Sequence, residues 1–174
     1  MQSLLLLLTI ITSSYLLDFN KADTNNWTVV NDGVMGGLSQ SKLDYTETSV
    51  IFEGILSLAN NGGFASFQGP RGEFDLSKYK KLTIRHRGFG GTFGFRLKTS
   101  EPFYMPFYKA EFTPTKDWQE TSIGIGDFDE WRIGDKTGDK ISKDDLASII
   151  RMGIIKSDKK EDPFLLEVDF IRFE

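Results

Sequence analysis

The sequence predicts an all-β sandwich with one helix, and three observations support that fold class. Apolar and charged side chains alternate residue by residue in four central segments, as in strands with one face on a core and one in water. These segments are 82–87, 93–99, 107–112 and 119–125. The 174 residues include 17 glycines, which suit the tight turns between short strands. Hydrophobic residues make up 39% and include 15 Phe, enough for one sizeable core.

Shorter apolar segments on either side of this middle complete the predicted sandwich. We predict further strands at 16–19, 27–30, 49–52, 55–58, 64–68, 154–156 and 164–173. The run Asn60-Asn61-Gly62-Gly63 indicates a hairpin. In the last strand, Phe164, Leu166, Val168 and Phe170 alternate with acidic residues, which predicts that these four face the core.

One helix of about three turns is predicted after Ser142. Ser142 is a good N-cap, and Asp145 three residues later is close to a capping box. The apolar stripe consists of Leu146, Ile149 and Ile150, and Gly153 can end the helix. We expect this helix to cover one end of the sandwich.

Residues 1–14 differ from the single domain predicted for residues 15–174. Residues 4–11 form an apolar run that is shorter than the roughly 20 residues of a membrane-spanning helix. Small residues at 12 and 14 have signal-peptidase spacing, but no Lys or Arg precedes the run. We interpret 1–14 as a weak export signal. The alternatives are a truncated start or an extra N-terminal strand.

The segment from Asn31 to Gly37 interrupts the strand pattern in an unusual way. Asn31-Asp32-Gly33 favours a tight turn, and Gly36-Gly37 makes a second break after the apolar pair Val34-Met35. One interpretation is a structural corner in which Met35 plugs an end of the sandwich. The other is a binding loop in which Gly36 and Gly37 let a partner approach the backbone.

The same segment resembles the signature of the complex I intermediate-associated protein 30 family. The resemblance continues through 52–54, 60–66, 108–112, 118–119 and 164–171, and covers nearly everything from 16 to 173. It implies a galactose-binding-like jelly roll, a role in complex assembly and a cytoplasmic or mitochondrial-matrix location. The family usually has an acidic residue within the glycine run 88–91, where this sequence has Phe89.

Several kinds of chemistry are disfavoured by the sequence. There is no Cys, so disulfides and thiolate ligands are excluded. The single His, His86, falls on the inward side of its strand and has no nucleophile motif to serve, so we interpret it as a core residue. A net charge of -4 disfavours nucleic acid as a partner. We therefore predict no catalysis, no cofactor and no membrane span.

Two weaker candidates for a bound group follow from the acidic residues. A cluster spans Asp127, Asp129, Glu130, Asp135 and Asp139, but its spacing fits no EF-hand loop. A structural calcium ion is therefore the alternative to no metal. The same acids offer carboxylate pairs, yet none is distinguished as a glycosidase pair.

The remaining candidate is an outward face that we expect to form from adjacent strands. If 82–87 and 92–99 pair as a hairpin, their outward side chains share one surface, rich in basic and aromatic residues. The candidate binding residues are Arg85, Arg87, Arg96, Lys98, Lys109, Glu111, Gln119, Tyr108 and Trp131. The alternative is a solvated, salt-bridged sheet face. The excess of basic residues suggests a partner protein or an acidic ligand.

These observations favour a non-catalytic binding module. The resemblance implies an assembly factor of respiratory complex I that acts by protein–protein interaction. The alternative is a carbohydrate-binding module of the same fold, because aromatic residues over polar ones also suit sugars, and Tyr104, Tyr108 and Trp131 are near the outward face in sequence.

Overall fold

Two antiparallel sheets form the sandwich in the computed structural model, which describes residues 14–20 and 26–174. The first sheet has the strand order β3-β4-β13-β6-β9, with β1 also paired to β13. Its strands are β1 (Tyr15–Asp18), β3 (Gln40–Tyr45), β4 (Val50–Ile55), β6 (Lys81–Phe89), β9 (Gln119–Gly124) and β13 (Pro163–Phe173). The predicted all-β fold class is confirmed.

The second sheet has the order β11-β10-β8-β7-β12-β5-β2. Its strands are β2 (Thr28–Asn31), β5 (Ala65–Gln68), β7 (Phe93–Lys98), β8 (Phe107–Phe112), β10 (Asp129–Arg132), β11 (Asp135–Lys140) and β12 (Arg151–Lys156). Short 3-10 helices occupy Asp32–Met35, Ala59–Asn61 and Ile125–Asp127. The predicted leader, residues 1–14, lies outside the described residues except for Ser14.

Aromatic side chains from both sheets fill the space between them. Phe52 of β4 contacts Phe67 of β5 across the sandwich, with ring centroids 5.0 Å apart, and Phe93 of β7 contacts Phe164 of β13 at 5.8 Å. All four are buried. Each fully buried Phe contributes roughly 2–3 kcal/mol relative to an exposed one, so this layer dominates the stability of the domain.

The predicted hairpin of 82–87 with 92–99 is wrong. β6 pairs with β13 and β9 in the first sheet, whereas β7 pairs with β12 and β8 in the second. The glycine run 88–91 therefore carries the chain from one sheet to the other. A Cβ atom on Gly91 would lie 2.3 Å from Asp158 Oδ2, so this glycine makes room for the ion pair of Asp158 with the buried Lys156.

Two other predicted connections are also corrected. The run 60–63 is no hairpin, because β4 and β5 belong to different sheets. The predicted strand 49–52 is longer than predicted, because β4 continues through Gly54 to Ile55. The predicted strand 55–58 is wrong, because only Ile55 of it belongs to a strand. A Cβ atom on Gly54 would lie 2.1 Å from the Gln40 carbonyl oxygen, so this glycine lets β3 approach rather than ending the strand.

A β-bulge in β13 changes which residues face the core. Val168 pairs with His86 and Phe170 with Arg85, so Asp169 is an extra residue between them. After the bulge Ile171 and Phe173 are buried, while Phe170 is only half-buried. The prediction of an inward Phe170 is wrong. It assumed strict alternation along the whole strand, whereas the extra residue at the bulge moves Phe170 to the other face.

The predicted three-turn helix is a single turn, α1 (Lys143–Leu146). Its capping box between Ser142 and Asp145 is confirmed. The helix stops because the following peptide groups pair elsewhere: Phe74 N donates to the Ile149 carbonyl at 2.8 Å, and Ile150 N donates to the Lys98 carbonyl at 2.8 Å. Gly153, predicted to end the helix, lies within β12.

His86 is a core residue, as predicted. It is buried, its Nε2 lies 2.8 Å from Thr121 Oγ1, and its ring packs edge-on against Phe112. Burial lowers the pKa of His86 to about 4. In the unfolded chain a histidine takes up a proton below about pH 6.5, but the folded protein resists this down to about pH 4.

The free energy of unfolding should therefore fall by about 1–2 kcal/mol between pH 7 and pH 5, because the unfolded state binds the proton that the folded state excludes. Denaturant melts at several pH values measure this. His86→Gln, which can still hydrogen-bond to Thr121, should show a flat profile across that range. An equally steep profile for His86→Gln would mean that His86 does not cause the pH dependence.

Candidate functional site

The segment from Asn31 to Gly37 folds around the carboxylate of Asp32, which is only 1% exposed. Asp32 Oδ1 accepts a hydrogen bond from Ser39 N at 3.0 Å. Asp32 Oδ2 accepts hydrogen bonds from Ser39 Oγ at 2.5 Å, Gly63 N at 2.6 Å and Phe64 N at 3.2 Å. One buried carboxylate thereby joins the segment 32–39 to the segment 57–64.

The charge of this buried carboxylate is stabilised by its donors. Burial alone would raise the pKa of Asp32, but the hydrogen bonds from Ser39, Gly63 and Phe64 outweigh it, and the pKa lies below its ordinary value. Further bonds hold the same two segments together: Ser57 N donates to Ser39 Oγ at 3.0 Å, and Asn60 Nδ2 donates to the Gly36 carbonyl at 3.2 Å.

Glycines next to Asp32 are required for different reasons. Gly36 has φ 89°, a left-handed conformation that ends the 3-10 helix. A Cβ atom on Gly37 would lie 2.4 Å from Asp32 Cγ, and one on Gly62 would lie 2.7 Å from Asp32 Oδ2. The glycines at 37 and 62 therefore allow the backbone to close around the carboxylate.

Four exposed apolar side chains lie on the chain segments next to this buried polar centre. They come from the two segments that Asp32 joins and from the adjacent end of β4: Met35, Leu38, Ile55 and Leu58, between 40% and 57% exposed. We call this surface the Asp32 platform. Met35 is 55% exposed, so the prediction that it plugs the sandwich is wrong. Asp32, not Met35, is the buried residue of the segment.

The outward face predicted from β6 and β7 does not exist as one surface, because the two strands are in different sheets. On the first sheet, Arg85 pairs with Asp169, and Arg87 Nε lies 2.6 Å from Glu167 Oε2. The indole of Trp118 covers both guanidinium groups, with centroid distances of 5.1 and 4.8 Å. The acidic partners come from β13, which is distant in sequence, so the apparent excess of basic charge here is compensated.

Other members of the predicted face are also dispersed. Tyr108 is 6% exposed and faces inward, where burial, Asp145 and Glu130 raise its pKa. Gln119 is opposite His86 in the β6–β9 pair, so it shares the inward side, and its Nε2 donates to the Thr113 carbonyl at 2.9 Å. Arg96 and Lys98 lie on the second sheet with Lys109, Glu111 and Trp131.

Trp131 is enclosed by two lysines. Lys109 Nζ lies 3.5 Å from its ring centroid and Lys136 Nζ lies 5.4 Å from it. Lys109 is only 4% exposed and also forms an ion pair with Glu111 Oε1 at 2.9 Å. Lys109, Glu111 and Trp131 border a cleft of about 290 Å³ that Asp127 and Asp129 also line. Because cations cover the indole, it offers little open ring for a sugar to stack on.

The acidic cluster is not arranged as a metal site. Asp129 forms ion pairs with Lys136 at 2.6 Å and Lys140 at 3.1 Å, which hold its pKa below the ordinary value. Within 14–20 and 26–174, no group of three or more His, Asp or Glu side chains converges as metal ligands would. The calcium alternative gains no support from this geometry.

Comparison with known proteins identifies the family. The model of the complex I intermediate-associated protein 30 family matches residues 17–168. The chain belongs to this family. Mouse "Complex I intermediate-associated protein 30, mitochondrial" is 28% identical over 178 aligned residues, which cover 87% of this chain and 52% of the mouse protein. The chain thus spans about half the length of that relative.

Several similar solved structures are carbohydrate-binding modules. The family 11 module of the cellulase Lic26A-Cel5E of Clostridium thermocellum has a TM-score of 0.66 at 14% identity, covering 92% of this chain and 94% of the module. A family 29 module has a TM-score of 0.51 at 9% identity, covering 94% and 92%. At such identities the likeness establishes the shared β-sandwich fold, and the jelly-roll prediction is confirmed.

Replacing Asp32 by Asn should lower the free energy of unfolding by about 2–4 kcal/mol at pH 7, because an amide presents a donor where the carboxylate accepts. The difference from wild type should narrow as the pH falls below about 4, because the unfolded chain then binds a proton that the folded carboxylate, with its lowered pKa, still excludes. Urea melts at pH 7 and pH 3 measure both effects. Equal stability at pH 7 would contradict the role assigned to Asp32.

Gly36→Ala should lower the free energy of unfolding by about 1 kcal/mol, because an L-residue is strained at φ 89°. Gly33→Ala is a matched control: both positions have open space around the added methyl group, but only Gly36 has a left-handed backbone. Differential melts compare the two. If both variants were equally stable, backbone strain at Gly36 would be refuted.

Proposed function

We propose that this protein is a non-catalytic binding protein that acts in the assembly of respiratory complex I, and that the Asp32 platform is its protein-binding surface. Membership of the complex I intermediate-associated protein 30 family supports the assembly role. The observation that supports the surface is that the family-like signature 31–39 builds a rigid loop pair around one buried carboxylate.

The platform has the properties of a preorganised protein-binding surface. Its backbone is fixed by hydrogen bonds to Asp32 and Ser39, so little conformational entropy is lost when a partner binds. Its exposed side chains are apolar, and the set includes Met35, a residue type that adapts to a partner surface. Their burial against a partner would supply the favourable free energy of association.

Carbohydrate binding, the alternative, is supported by the fold of the similar structures alone. Of the three aromatic residues considered for it, Trp131 is covered by Lys109 and Lys136 and Tyr108 is buried, whereas Tyr104 is 50% exposed. Fold by itself does not carry function. We therefore favour protein binding.

A mitochondrial location follows from the same proposal, because the mouse relative is named as mitochondrial. No helix among residues 14–20 and 26–174 has both the length and the apolar character needed to cross a bilayer. The interpretation of 1–14 as an export signal stays a prediction.

Affinity capture from cells of the source organism tests the proposal. The wild-type protein should capture identified complex I subunits, and Leu38→Glu should reduce their capture about ten-fold or more, because a charge replaces a central apolar contact. Leu16→Glu is the matched control, since Leu16 is 50% exposed against 57% for Leu38 but lies in β1.

The two parts of the proposal fail separately. Capture that recovers no complex I subunit would overturn the assembly role. Capture of the same subunits by Leu38→Glu and wild type would overturn the platform as the binding surface. Arg85→Ala with Arg87→Ala would then test the predicted basic residues of the first sheet.

A further inference from the structure

The strand β9 is a free edge of the first sheet. It ends the strand order and pairs with β6 alone among the strands described. Ile125 N donates to the Lys80 carbonyl at 2.8 Å, and the β6–β9 register continues from this pair, so every second residue of β9 bonds to β6. The peptide groups of the residues between them, Glu120, Ser122 and Gly124, therefore point away from β6. Within 14–20 and 26–174 these groups have no hydrogen-bond partner.

The free edge of β9 borders the cleft at the open side of the sandwich. β10 pairs with β8 only as far as Lys109, so the edge of β8 is open from Ala110 onward. Ala110 and residues 121–123 of β9 line the cleft of about 290 Å³ described above. On the opposite side the two sheets are joined, because Ser41 Oγ of β3 donates to Asn31 Oδ1 of β2 at 2.6 Å. The sandwich is therefore closed at β2 and β3 but open at β9.

This edge lacks the features that usually prevent strand addition. Exposed edge strands commonly carry a lysine, a proline or a β-bulge, each of which disfavours pairing with another chain. The edge strand of the second sheet, β11, carries Lys136 and Lys140. β9 has neither Lys nor Pro, and its register with β6 is unbroken. The edge is therefore suited to accept the backbone of another extended segment.

An unsatisfied hydrogen-bond donor belongs to the same cleft. Trp131 lines the cleft, and its Nε1 is buried without an acceptor among the residues that the structure describes. Buried polar groups of native proteins are nearly always hydrogen-bonded. A carbonyl or hydroxyl oxygen of a segment lying in the cleft would satisfy this indole. The cleft therefore suits a polar chain segment better than an apolar one.

Two unpaired carboxylates lie at the two ends of the edge. A Cβ atom on Gly124 would be 2.5 Å from Asp127 Oδ2, so the Asp127 carboxylate lies beside Gly124, and Glu120 lies four residues earlier. Both acidic side chains are exposed, and neither forms an ion pair with another described residue. Asp129 nearby is, by contrast, paired with two lysines. Basic residues opposite Glu120 and Gly124 would compensate both free charges.

We propose that the free edge of β9 binds an extended segment of a partner protein as an added antiparallel strand, and that this segment carries two basic residues four positions apart. Glu120, Ser122 and Gly124 would each exchange two backbone hydrogen bonds with the residue opposite. The basic side chains would pair with the carboxylates of Glu120 and Asp127. The two residues opposite 121 and 123 would face the cleft, because directly opposed residues share one face of a sheet.

The charges favour such a partner over a second copy of this chain. If two copies paired edge to edge about Ser122, Glu120 of each would lie opposite Gly124 of the other, beside the Asp127 of that copy. Carboxylates would then face carboxylates at both ends of the added pair, and like charges directly opposite are destabilising. A basic segment makes the same two positions attractive. The inference goes beyond the Asp32 platform, which is formed by other loops.

Titration of the purified protein with a synthetic peptide tests the inference. The probe is the capped peptide Thr-Lys-Thr-Ser-Val-Lys-Thr, and the matched control peptide has Glu in place of both Lys. In amide NMR spectra, the Lys peptide should shift the signals of Glu120, Ser122 and Gly124 with a dissociation constant on the order of 1 mM or lower, because a short segment must be ordered when it binds. The Glu peptide should bind at least about ten-fold more weakly.

Two variants separate strand addition from folding. Ser122→Pro removes an outward N–H that β6 does not use, so it should melt close to wild type but bind the Lys peptide at least about ten-fold more weakly. Glu120→Lys combined with Asp127→Lys should reverse the preference, so that this variant binds the Glu peptide better than the Lys peptide. Leu38→Glu changes the Asp32 platform and should bind the Lys peptide as wild type does.

Four results would overturn the proposal. They are the absence of saturable shifts at the three edge amides, wild-type binding by Ser122→Pro, an unchanged preference after the double charge reversal, and a dimer of wild type that Ser122→Pro abolishes. The last result would assign the edge to a second copy. Capture of complex I subunits is tested through Leu38→Glu and without peptide, so either proposal can fail while the other holds.

Discussion

The local structure at the signature segment depends on one buried anion. A carboxylate as enclosed as that of Asp32 is tolerated only when its oxygens are hydrogen-bonded, and here four donors converge on it from two loops. The carboxylate and the two loops depend on each other. The loops fix the carboxylate, and the carboxylate fixes the loops, so that Gly37 and Gly62 must lack a side chain for the backbone to close. A polar centre thereby supports an apolar surface.

The long last strand, β13, organises the charges of the first sheet in a similar way. It lies between β4 and β6, and it supplies Glu167 and Asp169 to arginines that are about 80 residues away in sequence. The bulge at Asp169 lets an acidic side chain pair with Arg85 while Ile171 and Phe173 return to the core. Such surface pairs contribute little stability each, but they cancel the repulsion expected between adjacent arginines.

Sequence patterns predicted the inward faces of individual strands well, because burial imposes a period of two. Leu82, Ile84 and His86 are buried as predicted. The alternation could not predict which strands pair. The pattern in β6 and β7 fits a hairpin equally well as two strands of different sheets. The strand β11 was missed because it is polar and exposed throughout. The strand β10 was missed because its four residues contain one apolar side chain, Trp131, and so show no alternation. At the site, the sequence indicated that Asn31 to Gly37 is unusual, but the donors to Asp32 from Gly63 and Phe64 depend on tertiary structure.

The same β-sandwich can carry different loops and so bind different partners. The fold of this chain therefore does not determine its function. The carbohydrate-binding modules share the sandwich at 16% identity or less, so the common feature is the packing of two sheets. The first candidate surface of this chain, the Asp32 platform, lies in its connections. A buried carboxylate stabilises the two loops of the platform. The loop backbone is held there by polar contacts below, while apolar side chains stay in water. Because water makes that exposure unfavourable, a surface that covers these side chains would lower the free energy of the protein without requiring the fold to change.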